Sequence, residues 1–476
     1  MAEMTRRTRI ICTIGPASRN PATLRKLVEA GMDVARLNFS HGTHEEHAAV
    51  IRAIREGGTD WGRPVTIIQD LQGPKVRLGN FIGGRAMLMT GELFTLTAKP
   101  VLGTSERASL DHPDLIAALK PGDQLWMDDG TIQLAVERAD VDSAVCRVIA
   151  GGVVSDHKGV ALPGIPLPVS CLTDKDREDL RFGVAHGVDY VAVSFVRSAA
   201  DIQEVRKFLL DRGASVPIIA KLERAEVVSN LPGILALVDA VMVARGDLGV
   251  EVPLEEVPII QRDVIRQARL AKVPVIVATQ MLESMVTYLR PTRAEVSDVA
   301  TAIFEGADAI MLSAETASGQ HPVEAVEVMS RVATRIEREL PRTALPAPRP
   351  EAYGFSEAVA EAACRAAEVL RAKAIVAFTQ SGFSARLISS ERPHVPVVAL
   401  TPFTEIQRRL GLYWGVRARL VRKVDTTDEM LQEVESTLLE DGTVRNGDVL
   451  VIISGGPMWV TGTTNLLKLH RVGERP

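Results

Sequence analysis

The 476-residue sequence is short of every feature that would place it in a membrane, outside the cell or on nucleic acid. It has four cysteines (Cys12, Cys146, Cys171 and Cys364), scattered without disulfide-like or metal-like spacing, so reduced thiols are expected. No apolar run approaches the roughly 20 residues of a membrane span. The richest, ILALVDAVMVA, is interrupted by Asp239 and ended by Arg245. The N-terminal MAEMTRRTRI is basic but lacks the apolar stretch of a secretory signal. Positive charge is not in excess: a formal net charge of -5 and a pI near 6.1 leave no basic footprint for nucleic acid. A soluble, cytoplasmic, multidomain chain is the expectation.

What is present is a hydrophobic content of 46% with 24% charge, ample for about three domains at ~150 residues each. Short β-branched runs alternate with amphipathic segments, the pattern of parallel strands joined by helices. Strands are predicted at 8–14, 33–38, 65–70, 190–194, 218–222, 240–243, 275–279 and 309–312. Helical spacing joins Val257, Ile260, Val264 and Ala268, and likewise Val296, Val299, Ala300 and Ile303. Thr173 with Asp176 reads as a capping box before the fourth strand. Eight such units predict a (β/α)8 TIM barrel built from 1–72 and 168–341.

The rhythm breaks over 73–167, where GELFTLTA, GDQLWMDDG and AVCRVIAGG alternate between turns without long helices. This predicts an inserted small β-barrel domain, placed as a lid over the barrel mouth. A proline-rich linker is expected at 342–353. Beyond it, 354–476 resumes with a helix near 356–370 and strands at 374–378, 395–400, 416–421 and 448–453, an open α/β domain.

Chemistry in such barrels sits at the C-terminal strand ends. Those ends carry Arg36 and Asn38, Asp70, Ser194, Lys221 and Glu223, Arg245 and Asp247, Thr279, then Ser313 and Glu315. Each alone has a bland reading, because chains turn polar where strands finish; their convergence on one rim is the signal. Glu223 and Asp247, on either side of one crossover, suit a hard divalent cation such as Mg²⁺ or Mn²⁺, or else flank a loop as a surface pair. Lys221, two residues before Glu223, points the same way and suits a phosphoryl group in transfer, or else is salt-bridged to nearby glutamates. In QDLQGPKVRLG an acid, Asp70, is followed by two bases, Lys75 and Arg77, which suggests a site for an anion.

With these residues in place, the chain resembles pyruvate kinase. The resemblance is carried by TRIICTIGPAS, GMDVARLNFSHG, KGVALPG, VSFVRS, AKLERAE, MVARGDLGVEVP, ATQMLESM, PTRAEVSDVA and MLSAETASG, and it continues through FTQSGFSARLIS to cover essentially the whole chain. Departures are Arg224 where the family usually has Asn, Ala314 where it has Gly, and an atypical LPVSCLT. Neither Arg224 nor Ala314 supplies a side chain to the chemistry that the resemblance implies.

The resemblance implies phosphoryl transfer from phosphoenolpyruvate to ADP, with Mg²⁺ on Glu223 and Asp247. Lys221 and Arg36 would neutralise the group in flight, and Ser194, Gly246, Asp247 and Thr279 would hold the substrate. Thr279 would also stand near the enolate carbon, or merely cap the next helix. Asn38, His41, Arg77 and Lys158 would serve the ADP phosphates, and Asp128 or Asp129 would close toward the nucleotide unless MDDG is only a hairpin turn. A monovalent-cation pocket is implied at Asn38, Ser40 and Asp70; Leu71, Gln72 and Lys75 match the subgroup in which the lysine replaces K⁺. The loop Thr379, Gln380, Ser381, Gly382, Phe383 and Ser384 is implied to bind a phosphorylated effector. Without an arginine in the tail SGGPMWVTGTTN, a monophosphate such as AMP or a pentose or hexose phosphate is favoured over fructose bisphosphate. A homotetramer is implied as well. Two rivals stay open at this point: a barrel lyase acting on pyruvate enolate, and a regulatory relic that binds sugar phosphates only through its C-terminal domain.

Overall fold

Eight short parallel strands form the centre of the computed structural model, which describes residues 6–128, 130–165, 170–340, 354–456 and 462–474. They are β1 (Arg9–Ile14), β2 (Val34–Asn38), β3 (Thr66–Asp70), β4 (Tyr190–Val193), β5 (Ile218–Leu222), β6 (Ala240–Ala244), β7 (Val275–Ala278) and β8 (Ala309–Leu312). Each pairs with its sequence neighbours, and β1 pairs with β8, so the barrel closes. Strands β3 to β8 are buried along their whole length, as parallel strands covered by helices must be. The sequence reading located all eight and missed their ends by one residue at most.

The insertion leaves the barrel without disturbing it, because β3 still pairs directly with β4 across the excursion. Its exit is set by Gly73, at φ 69°. A Cβ there would stand 2.8 Å from the Phe195 ring and 2.9 Å from Ser194 Cβ, so the tight exit requires glycine. The Gly73 N–H donates to Asp176 at 3.1 Å. That same carboxylate completes the capping box with Thr173 at the start of helix Asp174–Ala185. One acid therefore fixes both a helix start and the root of the insertion. The insertion itself folds as a six-stranded sheet and a two-stranded ribbon (Arg85–Leu88 with Gly152–Ser155) around one core that includes Leu88, Phe94, Leu125, Leu134 and Val154.

The C-terminal domain carries β9 (Ala374–Phe378), β10 (Val397–Thr401), β11 (Val416–Leu420), β12 (Val449–Ser454) and β13 (Leu466–Arg471), in the order β11-β10-β9-β12-β13. The last is antiparallel to β12 and was absent from the sequence reading. This domain docks on the end of the barrel opposite the strand C-termini. Arg408 pairs with Asp189 at 3.0 Å just before β4, Arg392 with Asp308 at 3.0 Å just before β8, and the Tyr190 hydroxyl donates to the Arg409 carbonyl at 3.0 Å. The insertion departs from the other end, after the C-terminal residue of β3. The expected linker 342–353 and the first three residues of the atypical LPVSCLT (167–169) lie outside the described residues. No helix among them is long and apolar enough to cross a membrane.

Candidate active site at the barrel mouth

Residues at or near the C-terminal ends of β2, β3 and β5 converge on one buried charge network. Lys221 Nζ lies 2.6 Å from Glu223 Oε1, 3.3 Å from Asp70 Oδ1 and 2.7 Å from the Ser194 hydroxyl. Asp70 turns its other oxygen to Arg36 Nε at 2.5 Å, and Arg36 Nη1 donates to Thr13 Oγ1 at 2.9 Å. Ser194 donates onward to the Leu71 carbonyl at 2.7 Å. Burial favours a neutral Lys221, but the fields of Asp70, Glu223 and Asp247 outweigh it and hold the ammonium well above its ordinary range. Burial likewise pushes Asp70 up, and Arg36 and Lys221 overcome that push and keep it below the usual carboxylate range. Glu223 moves the other way. Burial, reinforced by Asp247, raises it even against Lys221 and the Phe195 N–H, which donates to Oε2 at 2.9 Å.

Asp247 occupies the first turn of helix Arg245–Glu251, is exposed, and makes no hydrogen bond or ion pair among the described residues. A carboxylate raised by burial, with an exposed and unengaged second one adding to the rise, is the electrostatic situation that a cation relieves. Both are hard oxygen donors, so the pair fits Mg²⁺ or Mn²⁺. No group of three or more His, Cys, Asp or Glu suited to a metal occurs among the described residues. The protein would therefore supply two ligands, and the remainder would come from substrate and water.

Thr279 follows β7 rather than ending it, at φ 71°, a conformation β-branched residues rarely adopt. Its hydroxyl accepts the Gly246 N–H at 2.7 Å and donates to the Ala278 carbonyl at 2.5 Å. The Gly246 N–H expected to face substrate is thus engaged by Thr279 here, and Thr279 does not act as a helix cap. Arg245 holds this corner with Nη1 2.7 Å from Asp298 and Nη2 2.7 Å from the Thr279 carbonyl.

Across the mouth, register places Asn38 beside Asp70, and the Asn38 carboxamide accepts the Ser40 N–H at 3.2 Å. His41 is lowered first by burial, then by the positive fields of Lys75, Arg77 and Arg36, which gathers four basic side chains at one opening. Lys75 forms no ion pair among the described residues; Asp70 is engaged by Arg36 and Lys221 instead. Arg77 Nη1 donates to the His157 carbonyl at 3.0 Å, and Lys158 pairs with Asp128, itself at φ 56° in the hairpin turn. Asp129 lies outside the described residues.

Two participants, Thr13 and Glu251, escaped the sequence reading, and a third, Arg245, was read only as a strand-end cation. Thr13 positions Arg36, Arg245 braces Thr279, and Glu251 takes a salt bridge from Arg224 at 2.6 Å. Arg245 was visible in MVARGDLGVEVP as a cation at a strand end; Thr13 and Glu251 carried no local signal. Glu315, by contrast, spends its carboxylate on the Leu282 and Ser313 N–H groups at 3.1 and 2.6 Å, a structural use. In the C-terminal loop, Gly382 at φ 86° opens helix Phe383–Ser390, its N–H donates to Thr379 Oγ1 at 3.0 Å, and Ser384 and Thr464 share a 2.7 Å bond.

Comparison with known proteins agrees along the full length. The family "Pyruvate kinase, barrel domain" matches residues 5–326, and "Pyruvate kinase, alpha/beta domain" matches residues 357–470. A pyruvate kinase of Mycobacterium tuberculosis is 45% identical over 475 residues, covering 99% of both chains. One from Corynebacterium glutamicum is 45% identical over 474 residues, with 99% of this chain and 98% of the relative covered. The crystal structure of a Cryptosporidium parvum pyruvate kinase superposes with a TM-score of 0.92 at 35% identity, over 98% of this chain and 96% of the other. The chain belongs to the pyruvate kinase family.

Proposed function

We propose that the chain moves the phosphoryl group of phosphoenolpyruvate to ADP at the barrel mouth, giving pyruvate and ATP. The observation that carries this reading is the placement of Lys221. Its ammonium is buried, held protonated by three carboxylates, and kept within 2.6 Å of one half of a divalent pair. Transfer of this kind is mostly positioning and charge neutralisation. Lys221 and Arg36, on either side of Asp70, are aimed by that one acid and neutralise the oxygens of the migrating group. Glu223 and Asp247 would hold Mg²⁺ or Mn²⁺, which when bound supplies further positive charge to the phosphoryl oxygens. Ser194 orients Lys221, and Thr279 with Gly246 and Asp247 receives the carboxylate end of the substrate. Thr279 also stands by the enolate carbon.

Asn38, His41, Arg77 and Lys158 form the nucleotide side, on the barrel rim and the root of the insertion. The insertion acts as the lid, with Asp128 closing toward the nucleotide. Excluding water in this way keeps the phosphoryl group from hydrolysis. The division into barrel (1–72, 168–341), lid (73–167), linker (342–353) and regulatory domain (354–476) follows from these roles.

Potassium is not required in this reading. Lys75 brings an ammonium to the mouth in place of a monovalent cation, and its field on His41, alongside those of Arg77 and Arg36, supports that reading. The 379–384 loop takes a phosphorylated effector, a monophosphate by preference, at a helix start opened by left-handed Gly382. A cytoplasmic homotetramer completes the proposal; the four cysteines are free and three are buried, as a reducing compartment permits. The test is formation of pyruvate from phosphoenolpyruvate by the purified protein, with ADP omitted or the divalent ion chelated in parallel. Pyruvate formed without ADP would contradict the reading.

A further inference from the structure

Arg224 is the bulkiest of the fully buried side chains, yet it directly follows Glu223. Its guanidinium reaches three separate elements. Nη1 lies 2.6 Å from Glu251, the last residue of the helix that begins with Arg245, Gly246 and Asp247. Nη2 donates to the Ile165 carbonyl at 3.0 Å, where the lid returns to the barrel, and lies 3.3 Å from Glu226. The Gly164 N–H also faces the Glu251 carboxylate and, after Arg224, opposes the upward push of burial on it. One ion pair therefore grips the strand end bearing Glu223, the helix bearing Asp247 and the hinge of the lid.

Stability alone does not account for this pair. Burying a guanidinium and a carboxylate costs several kcal/mol before pairing, and apolar residues of similar volume often serve as well. Here the set is also incompletely bonded: Arg224 Nε, Glu226 Oε2 and Glu251 Oε2 are buried without a hydrogen-bond partner among the described residues. What an apolar filling would lose is the directional link between the three elements.

We infer that Arg224 is a positioning residue: through Glu251 it fixes the spacing of Glu223 and Asp247 and ties that spacing to the seating of the lid on residues 164–165. The inference rests on the reading of Glu223 and Asp247 as the divalent-ion pair. Any swing of the lid displaces the Ile165 carbonyl, which anchors the guanidinium end of the ion pair, and with it the Gly164 N–H near Glu251. Lid position and metal affinity then become linked, and linkage is reciprocal: bound metal must protect the hinge as the seated lid favours metal.

The test uses Mn²⁺ binding to the whole protein, read from the signal of free Mn²⁺ without substrates, together with melting temperature and amide exchange at the hinge. The double variant Arg224→Met/Glu251→Leu, which fills the space with apolar groups, should melt near wild type. It should bind Mn²⁺ about tenfold more weakly and lose the slowing of hinge exchange that Mn²⁺ produces in wild type. Arg224→Lys keeps the charge without the planar fork, and should fold and bind Mn²⁺ several-fold more weakly; it carries the test if the double variant does not fold. Wild-type Mn²⁺ affinity in a folded Arg224 variant, with Glu223→Gln weakened, overturns the positioning role alone. Wild-type affinity in Glu223→Gln itself overturns the metal reading and the inference with it.

Discussion

The Lys221 ammonium, near the end of β5, and the Glu223 carboxylate, just beyond it, stand 2.6 Å apart, and both are withdrawn from water. Period-2 alternation puts them on the same side of the chain, and Asp70 and Ser194 close the other sides of the ammonium at 3.3 and 2.7 Å. A cation so confined is already oriented before substrate arrives, which is what electrostatic preorganisation requires.

Removing that cation should therefore affect the transition state more than the bound substrate. Lys221→Ala is expected to lower kcat by a factor corresponding to ~3 kcal/mol or more, with a much smaller change in KM for phosphoenolpyruvate. Steady-state kinetics on a folded variant decide the point. A kcat within about tenfold of wild type would refute the role.

Asp33 provides a stability test remote from the chemistry. It accepts the Ile10 N–H at 2.9 Å and pairs with Arg6, Arg9 and Arg63 at 2.8, 3.4 and 3.5 Å. Burial pushes its carboxyl up, but the three arginines outweigh burial and bring it from 3.8 down to about 2. A depressed carboxyl stabilises the fold above its unfolded pKa, and that contribution fades as pH falls through the folded value. The shift corresponds to about 2 kcal/mol. Asp33→Asn should melt well below wild type at neutral pH, with the gap narrowing from about pH 4 toward pH 2. A gap that stays constant over that window would show that Asp33 acts without its charge.

The barrel was legible because its signals are local: β-branched runs of four to six residues between helical patterns, and a capping box at Thr173. The rim residues were legible because they lie at strand ends within specific motifs. Strand β13 was not, since LLKLHR sits at a sheet edge and only partly alternates. Nor were the partnerships of Thr13 with Arg36 and Glu251 with Arg224, whose members are 23 and 27 residues apart and meet only through the β1–β2 pairing and the crossover after β5. Lys75 shows the same limit. Its position in the turn was readable, but only the structure shows that Asp70 is already engaged by Arg36 and Lys221.

Potassium dependence should follow Lys75. In a tetramethylammonium buffer free of K⁺, the wild-type protein is expected to reach full activity with Mg²⁺, and Lys75→Glu should require added K⁺. Like charges within several ångström repel in a partly buried site, so lysine and K⁺ are alternatives there. Stimulation of the wild type by more than about tenfold, or ~1.4 kcal/mol, would defeat this assignment.

Effector response should map to the 379–384 loop. AMP, ribose 5-phosphate and glucose 6-phosphate are each to be titrated against half-saturation by phosphoenolpyruvate, beside fructose 1,6-bisphosphate. A monophosphate should lower the half-saturating concentration, and Ser384→Asp, which places negative charge at the start of helix Phe383–Ser390, should abolish the response while leaving unstimulated activity in place. Strong activation by the bisphosphate alone would reverse the preference.

The transferred group itself can be watched by phosphorus NMR on a mixture of the protein, Mg²⁺, phosphoenolpyruvate and ADP. The phosphoenolpyruvate signal should decay into the γ-phosphorus signal of ATP, at least a hundredfold faster with wild type than with Lys221→Ala (~2.7 kcal/mol). Decay into inorganic phosphate instead, or equal rates for the two proteins, would contradict it.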